Sequence, residues 1–82
     1  MKVRRTSLRQ TFGTNVRGER LARGLSQAEL ADKAGLHRTH VGSVERAENG
    51  VTIDAIEALA EALGVEAAEL MRGRPERGHA GT

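Results

Sequence analysis

Apolar residues recur at intervals of three and four along most of the chain, which is the spacing of one face of an α-helix. The pattern divides into five segments, at about residues 9–23, 27–34, 37–46, 53–63 and 66–71, and glycines lie between them. Each segment has only enough residues for a few turns. The pattern therefore predicts an all-α fold of five short helices.

The start of the second segment carries a local signal. Ser26-Gln27-Ala28-Glu29 is a capping box, in which the Ser26 hydroxyl accepts from the amide of Glu29 and the Glu29 carboxylate accepts from the amide of Ser26. Gly35 follows after two turns, where a helix commonly ends in a left-handed residue. The second helix is therefore predicted to begin at Gln27 and to end before Gly35.

The fourth segment is also bounded by signals. Asn49-Gly50 predicts a turn, Thr52 is a suitable N-cap, and Gly64 ends the segment. Its apolar residues at helical spacing are Ile53, Ile56, Leu59, Ala60 and Leu63. These residues are expected to face the core.

Length and composition limit the chain to a single small domain. The 82 residues are 38% hydrophobic, and Phe12 is the single aromatic residue, so the core must be built from aliphatic side chains. We expect the domain to span residues 9–71, with a flexible basic arm at residues 1–8 and a disordered tail at residues 72–82. The motif described below lies at residues 27–46.

Charge is segregated along the sequence although the formal net charge is only +2. Residues 1–23 hold seven lysines and arginines against Glu19, whereas residues 51–71 hold five acids and no lysine or arginine. One end of the domain is therefore expected to face a polyanion while the other end turns away from it. Charge alone fits simple solvation of both regions equally well.

The second and third segments form the pattern of a helix-turn-helix, whose second helix enters the major groove of DNA. Ala31 is small where the two helices cross, and Gly35 supplies the left-handed residue of the tight turn. Apolar residues stand where the pair must pack against the rest of the domain, namely Leu30, Ala34, Leu36, Val41 and Val44.

These residues, with Gln27-Ala28-Glu29 and Glu45, resemble the Xre family, the Cro and phage-repressor type of helix-turn-helix. The resemblance covers about residues 9–71 and implies a lambda-repressor-like domain of five helices. The segment Arg38-Thr39-His40-Val41-Gly42-Ser43-Val44-Glu45-Arg46 is also similar to the recognition helix of restriction-modification controller proteins. The implied function is a sequence-specific regulator of transcription that binds double-stranded DNA.

The resemblance implies roles for individual residues. Those in base-reading positions are Arg38, Thr39, Gly42 and Ser43, and Arg38 can donate two hydrogen bonds to guanine. Those implied to contact phosphate are Gln27, Ser26, Arg46, Arg23 and His40. Two further residues, Arg20 and Glu45, are implied to form a partly buried structural ion pair. The alternative is that the polar side chains on the surface only contact water and bind no DNA, and this alternative is weakest for Arg38.

Two positions depart from the family pattern. His37 stands where the family often has Asp, Ser or Thr as the cap of the third helix, so that end of the helix is expected to be weaker or adjusted. Glu19 stands where many relatives have a core leucine, and Leu21 is expected to take over its packing.

Two further surfaces are expected to bind partners. A small core and one short recognition helix favour a homodimer on an inverted repeat, and the predicted interface consists of Val65, Leu70 and Met71. Asp32 matches the position of an activating acid in lambda repressor, and with Glu29 it is a candidate contact for RNA polymerase.

The remaining observations exclude other classes. No catalytic grouping, phosphate-cradling loop or small-molecule site is evident, so we expect neither an enzyme nor a cofactor. His37 and His40 lack a third metal ligand, and we expect no metal. Without cysteine, signal peptide or membrane span, a soluble cytoplasmic, nucleoid-associated protein is expected. The alternative functions are an antitoxin-type DNA-binding protein and a helix-turn-helix module that binds protein.

Overall fold

The computed structural model describes residues 7–73, which contain five α-helices and no strand. The helices are α1 (Leu8–Ala22), α2 (Gln27–Ala34), α3 (Arg38–Glu45), α4 (Ile53–Leu63) and α5 (Ala67–Leu70). The predicted all-α class is confirmed. Most of the predicted arm and tail, residues 1–6 and 74–82, lies outside the described residues. Between residues 7 and 73 no helix is long and apolar enough to cross a membrane.

The first two helices begin with the same type of cap. The amide of Glu29 donates to Ser26 Oγ at 3.0 Å, and the amide of Ser26 donates to Glu29 Oε1 at 2.8 Å, so the predicted capping box is present. A second box joins Ser7 and Gln10 at the start of α1 through two hydrogen bonds of 3.1 Å. Ser7 and Leu8 therefore belong to the folded domain and not to the arm.

The core lies where the helices meet. Helix α2 packs against α3 and α4, α1 packs against α3, and the short α5 contacts both α1 and α4. The buried side chains of this core are Phe12, Val16, Leu30, Ala31, Val41, Val44, Leu59, Ala60, Leu63 and Leu70. Each helix therefore contributes at least one buried side chain.

Gly13 sets the distance between α1 and α3. A Cβ atom at this position would lie 2.4 Å from the carbonyl oxygen of Val44 and 3.0 Å from that of Glu45. Both oxygens belong to the α3 backbone, which cannot move aside as a flexible side chain can. The crossing of α1 and α3 therefore requires glycine at position 13.

Asn15 joins α1 to the carboxyl end of the domain. This asparagine is 5% exposed, and its Nδ2 donates to the carbonyl oxygens of Leu70 and Arg72, each at 2.9 Å. A buried amide without such partners would be costly. These bonds fix α5 against α1, and Arg72 is therefore tied to the domain although it was predicted to begin the tail.

The turn after α3 differs from the prediction. The chain bends at Asn49, but the left-handed residue that ends α3 is Ala47, with a φ of 57°. The amide of Ala47 donates to the carbonyl of Val44, and the amide of Glu48 donates to that of Ser43, which is a Schellman motif. Glycine normally takes this position because Cβ disfavours it.

Two apolar residues do not pack as expected. Ile53, predicted to face the core from α4, is 79% exposed. It is the first residue of that helix. Leu21 is 50% exposed and does not take over packing at the position of Glu19, because it lies on the outer face of α1.

Candidate nucleic-acid interface

The tight turn between α2 and α3 is built by backbone hydrogen bonds around Gly35. Gly35 has a φ of 70°, and its amide donates to the carbonyl of Asp32 at 3.3 Å. The amide of Leu36 donates to the carbonyl of Ala31 at 2.8 Å. Helix α3 begins two residues later, which gives the helix-turn-helix arrangement predicted from the sequence.

His37 caps the amino end of α3. Its Nδ1 accepts from the amide of Thr39 at 3.3 Å and lies 2.9 Å from the Thr39 hydroxyl. A ring nitrogen thus replaces the oxygen that the resemblance leads one to expect, and the amide bond is long for a cap.

The outer face of α3 presents polar side chains. Arg38 is exposed, and among residues 7–73 its guanidinium has no hydrogen-bond partner. Ser43 is half-buried, and Gly42 is buried. A Cβ at position 42 would lie 3.0 Å from Arg46 Nη1 and 3.5 Å from Gln27 Oε1, so these two side chains cover Gly42 in the free protein.

A buried polar network joins α1, α2 and α3. Arg20 Nε donates to Glu45 Oε2 at 2.7 Å and Arg20 Nη2 donates to Glu45 Oε1 at 3.0 Å, which forms the expected ion pair. Arg20 Nη1 donates to the carbonyl of Leu25 at 2.8 Å, and Gln27 Nε2 donates to Glu45 Oε1 at 3.0 Å. The Arg20 and Glu45 side chains are 9% and 3% exposed.

The hydrogen bond to Glu45 raises the pKa of Arg20 above its ordinary value, with a smaller contribution from the charge of Glu45. The Arg20 guanidinium therefore stays charged at neutral pH. Gln27, predicted to contact phosphate, is fixed by the same network in the free protein. Its half-buried amide is held at the junction of α2 and α3.

Three other candidate phosphate contacts already have partners within the domain. Arg46 donates to Glu48, with Nε 2.7 Å from Oε2, and Arg23 donates to Glu19 Oε1 at 2.6 Å. The Ser26 hydroxyl is engaged as the cap of α2. His40, a further candidate, is half-buried.

Sequence reasoning missed three residues that shape this surface. Gly13 and Asn15 act through contacts with distant segments, which no local pattern reveals. Glu48 was detectable, because an acid two residues after Arg46 and next to a predicted turn is a local charge pair.

At the carboxyl end of the domain, the prediction was wrong for Leu70. Leu70, predicted as part of the dimer interface, is 0% exposed and belongs to the core of the protomer itself. Val65 and Met71 are half-buried. Asp32 and Glu29 are both exposed on α2, although the Glu29 carboxylate is engaged in the capping box. Within residues 7–73 no three metal-ligating side chains converge.

The chain is similar in sequence to known helix-turn-helix proteins. A helix-turn-helix family model matches residues 16–70. The control protein C.SmaI of Serratia marcescens is 42% identical over 64 residues, which cover 78% of this chain and 76% of the relative.

Two solved structures are similar to this one. The restriction-modification controller protein C.AhdI from Aeromonas hydrophila matches with a TM-score of 0.73 and 45% identity, covering 76% of this chain and 94% of that chain. The hypothetical transcription factor NHTF from Neisseria matches with a TM-score of 0.79 and 42% identity, covering 82% of this chain and 77% of that chain.

Proposed function

The chain belongs to the helix-turn-helix family, which its residues 16–70 match, and from this premise we propose that it acts as a restriction-modification controller. It is a DNA-binding transcription regulator and not an enzyme. In the proposed complex a homodimer binds an inverted-repeat operator, and each protomer places α3 in the major groove. Arg38 and Thr39 then read bases from the first turn of α3.

The exposed guanidinium of Arg38 is the observation that carries this proposal. Long cationic side chains elsewhere on this surface, such as Arg46 and Arg23, are engaged by carboxylates. Arg38 is exposed at the amino end of α3 and lacks a partner among the described residues. It can therefore donate two hydrogen bonds to guanine O6 and N7 at no cost in broken contacts.

The test compares Arg38→Ala with the wild type on two duplexes, one selected from random sequences by the wild type and one scrambled. We expect a loss of about 1–3 kcal/mol on the selected duplex and a much smaller loss on the scrambled one. Arg72→Ala removes the same charge beyond α5 and should leave this difference unchanged. Equal losses on both duplexes would show that Arg38 contacts only phosphate.

The dimer interface is proposed to lie at the carboxyl end of α4 and at α5. Val65 and Met71 retain partial exposure there, while Leu70 is excluded because it is buried in the protomer. The exposed acids Glu61 and Glu66 keep this surface away from DNA. An isologous contact here would place half-site centres about 34 Å apart.

Sedimentation of Met71→Glu at micromolar concentration tests the interface. We expect this variant to be monomeric and to bind an isolated half-site no better than the wild type does. Leu21→Glu introduces the same charge at an exposed apolar residue of α1 and should remain dimeric. A wild-type monomer that binds a half-site as tightly as the full repeat would overturn the dimer.

Asp32 is proposed to contact RNA polymerase bound beside the operator, with Glu29 in support. Both side chains are exposed on α2, on the opposite side of the turn from α3. Asp32→Asn should reduce activation of transcription while DNA binding is unchanged. Unchanged activation would exclude this contact.

A further inference from the structure

A chain of hydrogen-bonded polar side chains lies at the carboxyl end of the α3 face. Arg46 Nε and Nη2 donate to the two oxygens of Glu48 at 2.7 and 3.2 Å. The Ser43 hydroxyl donates to Glu48 Oε1 at 3.4 Å, and Asn49 Nδ2 donates to Ser43 Oγ at 3.3 Å. The family resemblance implies that two of these residues, Ser43 and Arg46, contact DNA.

The backbone fixes the position of Glu48 in this chain of hydrogen bonds. Because Ala47 is left-handed, the chain turns back after α3, and the amide of Glu48 donates to the carbonyl of Ser43 at 3.0 Å. Gly42 leaves room for the Arg46 guanidinium to lie across the helix. The carboxylate and the guanidinium therefore meet on the outer face of α3.

The pair contributes little to the stability of the fold, because its side chains are 58% and 50% exposed. The pair has a larger effect on the net charge of the α3 face than on stability. Hydrogen bonding to Arg46 holds the pKa of Glu48 below its ordinary value, and the same contact raises the pKa of Arg46. At neutral pH the guanidinium is thus neutralised by a full negative charge beside it.

We propose that Glu48 is a specificity-determining residue, which competes with DNA phosphates for Arg46 and so suppresses binding to DNA of arbitrary sequence. This inference rests on the proposed function. Binding to arbitrary DNA depends on net charge and on the release of counterions. While Arg46 remains paired with Glu48, it adds no net charge to such a complex.

The operator complex differs from this non-specific complex. Base contacts by Arg38 fix the register of α3 and hold one phosphate at short range from Arg46. A charge-assisted hydrogen bond to that phosphate can then replace the bond to Glu48. The carboxylate therefore lowers affinity for arbitrary DNA more than it lowers affinity for the operator.

The test uses Glu48→Gln, which keeps the shape of the side chain and removes its charge. On a scrambled duplex at 0.15 M salt we expect affinity to rise about fivefold and the salt slope to steepen by about 1. On the duplex selected by the wild type the rise should be smaller, so that the ratio of the two affinities falls. Glu57→Gln makes the same charge change on α4 and should not alter this ratio.

A second variant tests the mechanism. In an Arg46→Met background, Glu48→Gln should change affinity for the scrambled duplex no more than Glu57→Gln does. An equal rise on both duplexes, or an effect of Glu48→Gln that persists without Arg46, would overturn the role of Glu48. A wild type without any sequence preference would instead contradict the proposed function.

Discussion

The side-chain hydrogen bonds at the carboxyl end of α3 come from distant segments, whereas those at its amino end come from one local cap. At the carboxyl end, Arg20 and Gln27 donate hydrogen bonds to Glu45. Gly13 allows α1 to pack directly against the α3 backbone. At the amino end the long hydrogen bond from Thr39 to the His37 ring closes the helix. The end that carries Arg38 is therefore the one with fewer side-chain hydrogen bonds to distant segments.

Among the substitutions in α3 and its contacts, removing the charge of Glu45 should lower the free energy of unfolding most. Glu45→Gln leaves the Arg20 guanidinium nearly buried without a carboxylate, and the expected loss of unfolding free energy is about 3 kcal/mol. Urea unfolding at fixed protein concentration measures this loss. The control is Glu48→Gln, which breaks an exposed pair and should leave the midpoint unchanged; similar losses for both variants would show that burial does not distinguish the pairs.

Gly13→Ala should weaken the same end by forcing α1 away from α3. Because the new methyl group would meet two backbone carbonyls of α3, we expect a loss of about 2 kcal/mol. Gly18→Ala is the matched control in the same helix, since no atom lies within 4 Å of a Cβ there, and it should gain about 0.5–1 kcal/mol. Thermal unfolding of both variants separates the two effects, and a stable Gly13→Ala protein would contradict the close crossing.

Ala47→Gly should strengthen the carboxyl end. The left-handed φ of Ala47 costs an alanine about 1–2 kcal/mol, part of which is offset by the greater freedom of glycine when unfolded. We therefore expect a net gain of about 0.5–1 kcal/mol in urea unfolding. Ala58→Gly, within α4, should lose about 1 kcal/mol, and a loss at both positions would argue against strain at Ala47.

His37→Ser should stabilise the amino end of α3, and its effect on the free energy of unfolding should be the smallest of these variants. A serine hydroxyl reaches the amides of the first turn with better geometry than the ring nitrogen, so a gain of about 0.5 kcal/mol is expected. Amide hydrogen exchange should slow at residues 39 and 40 and remain unchanged at residues 44 and 45. Slower exchange at both ends would mean that the ends of α3 are not independent.

Features set by neighbouring residues were predictable from the sequence. The capping box at Ser26, the left-handed Gly35 and the N-cap Thr52 each depend on residues within a few positions. The second box at Ser7 has the same local signal, and the basic composition around it favoured an arm. The spacing of apolar residues was sufficient to predict five helices.

Features set by tertiary contact were not predictable in this way. The need for glycine at position 13 arises from the path of α3, and the burial of Leu70 arises from the docking of α5 on α1 and α4. Ile53 fits the helical spacing of α4, but it is exposed at the first position of that helix. The charge state of the α3 face depends on Glu48, whose effect follows from the turn at Ala47.

The bonds from Asn15 to the carbonyls of Leu70 and Arg72 have a consequence for synthesis of the protein. Asn15 precedes Leu70 by 55 residues in the chain, so it is synthesised well before its partners. Closing this long loop is therefore among the last steps of folding. A chain that ended before residue 70 would lack both partners, and the buried amide of Asn15 would then be left unsatisfied.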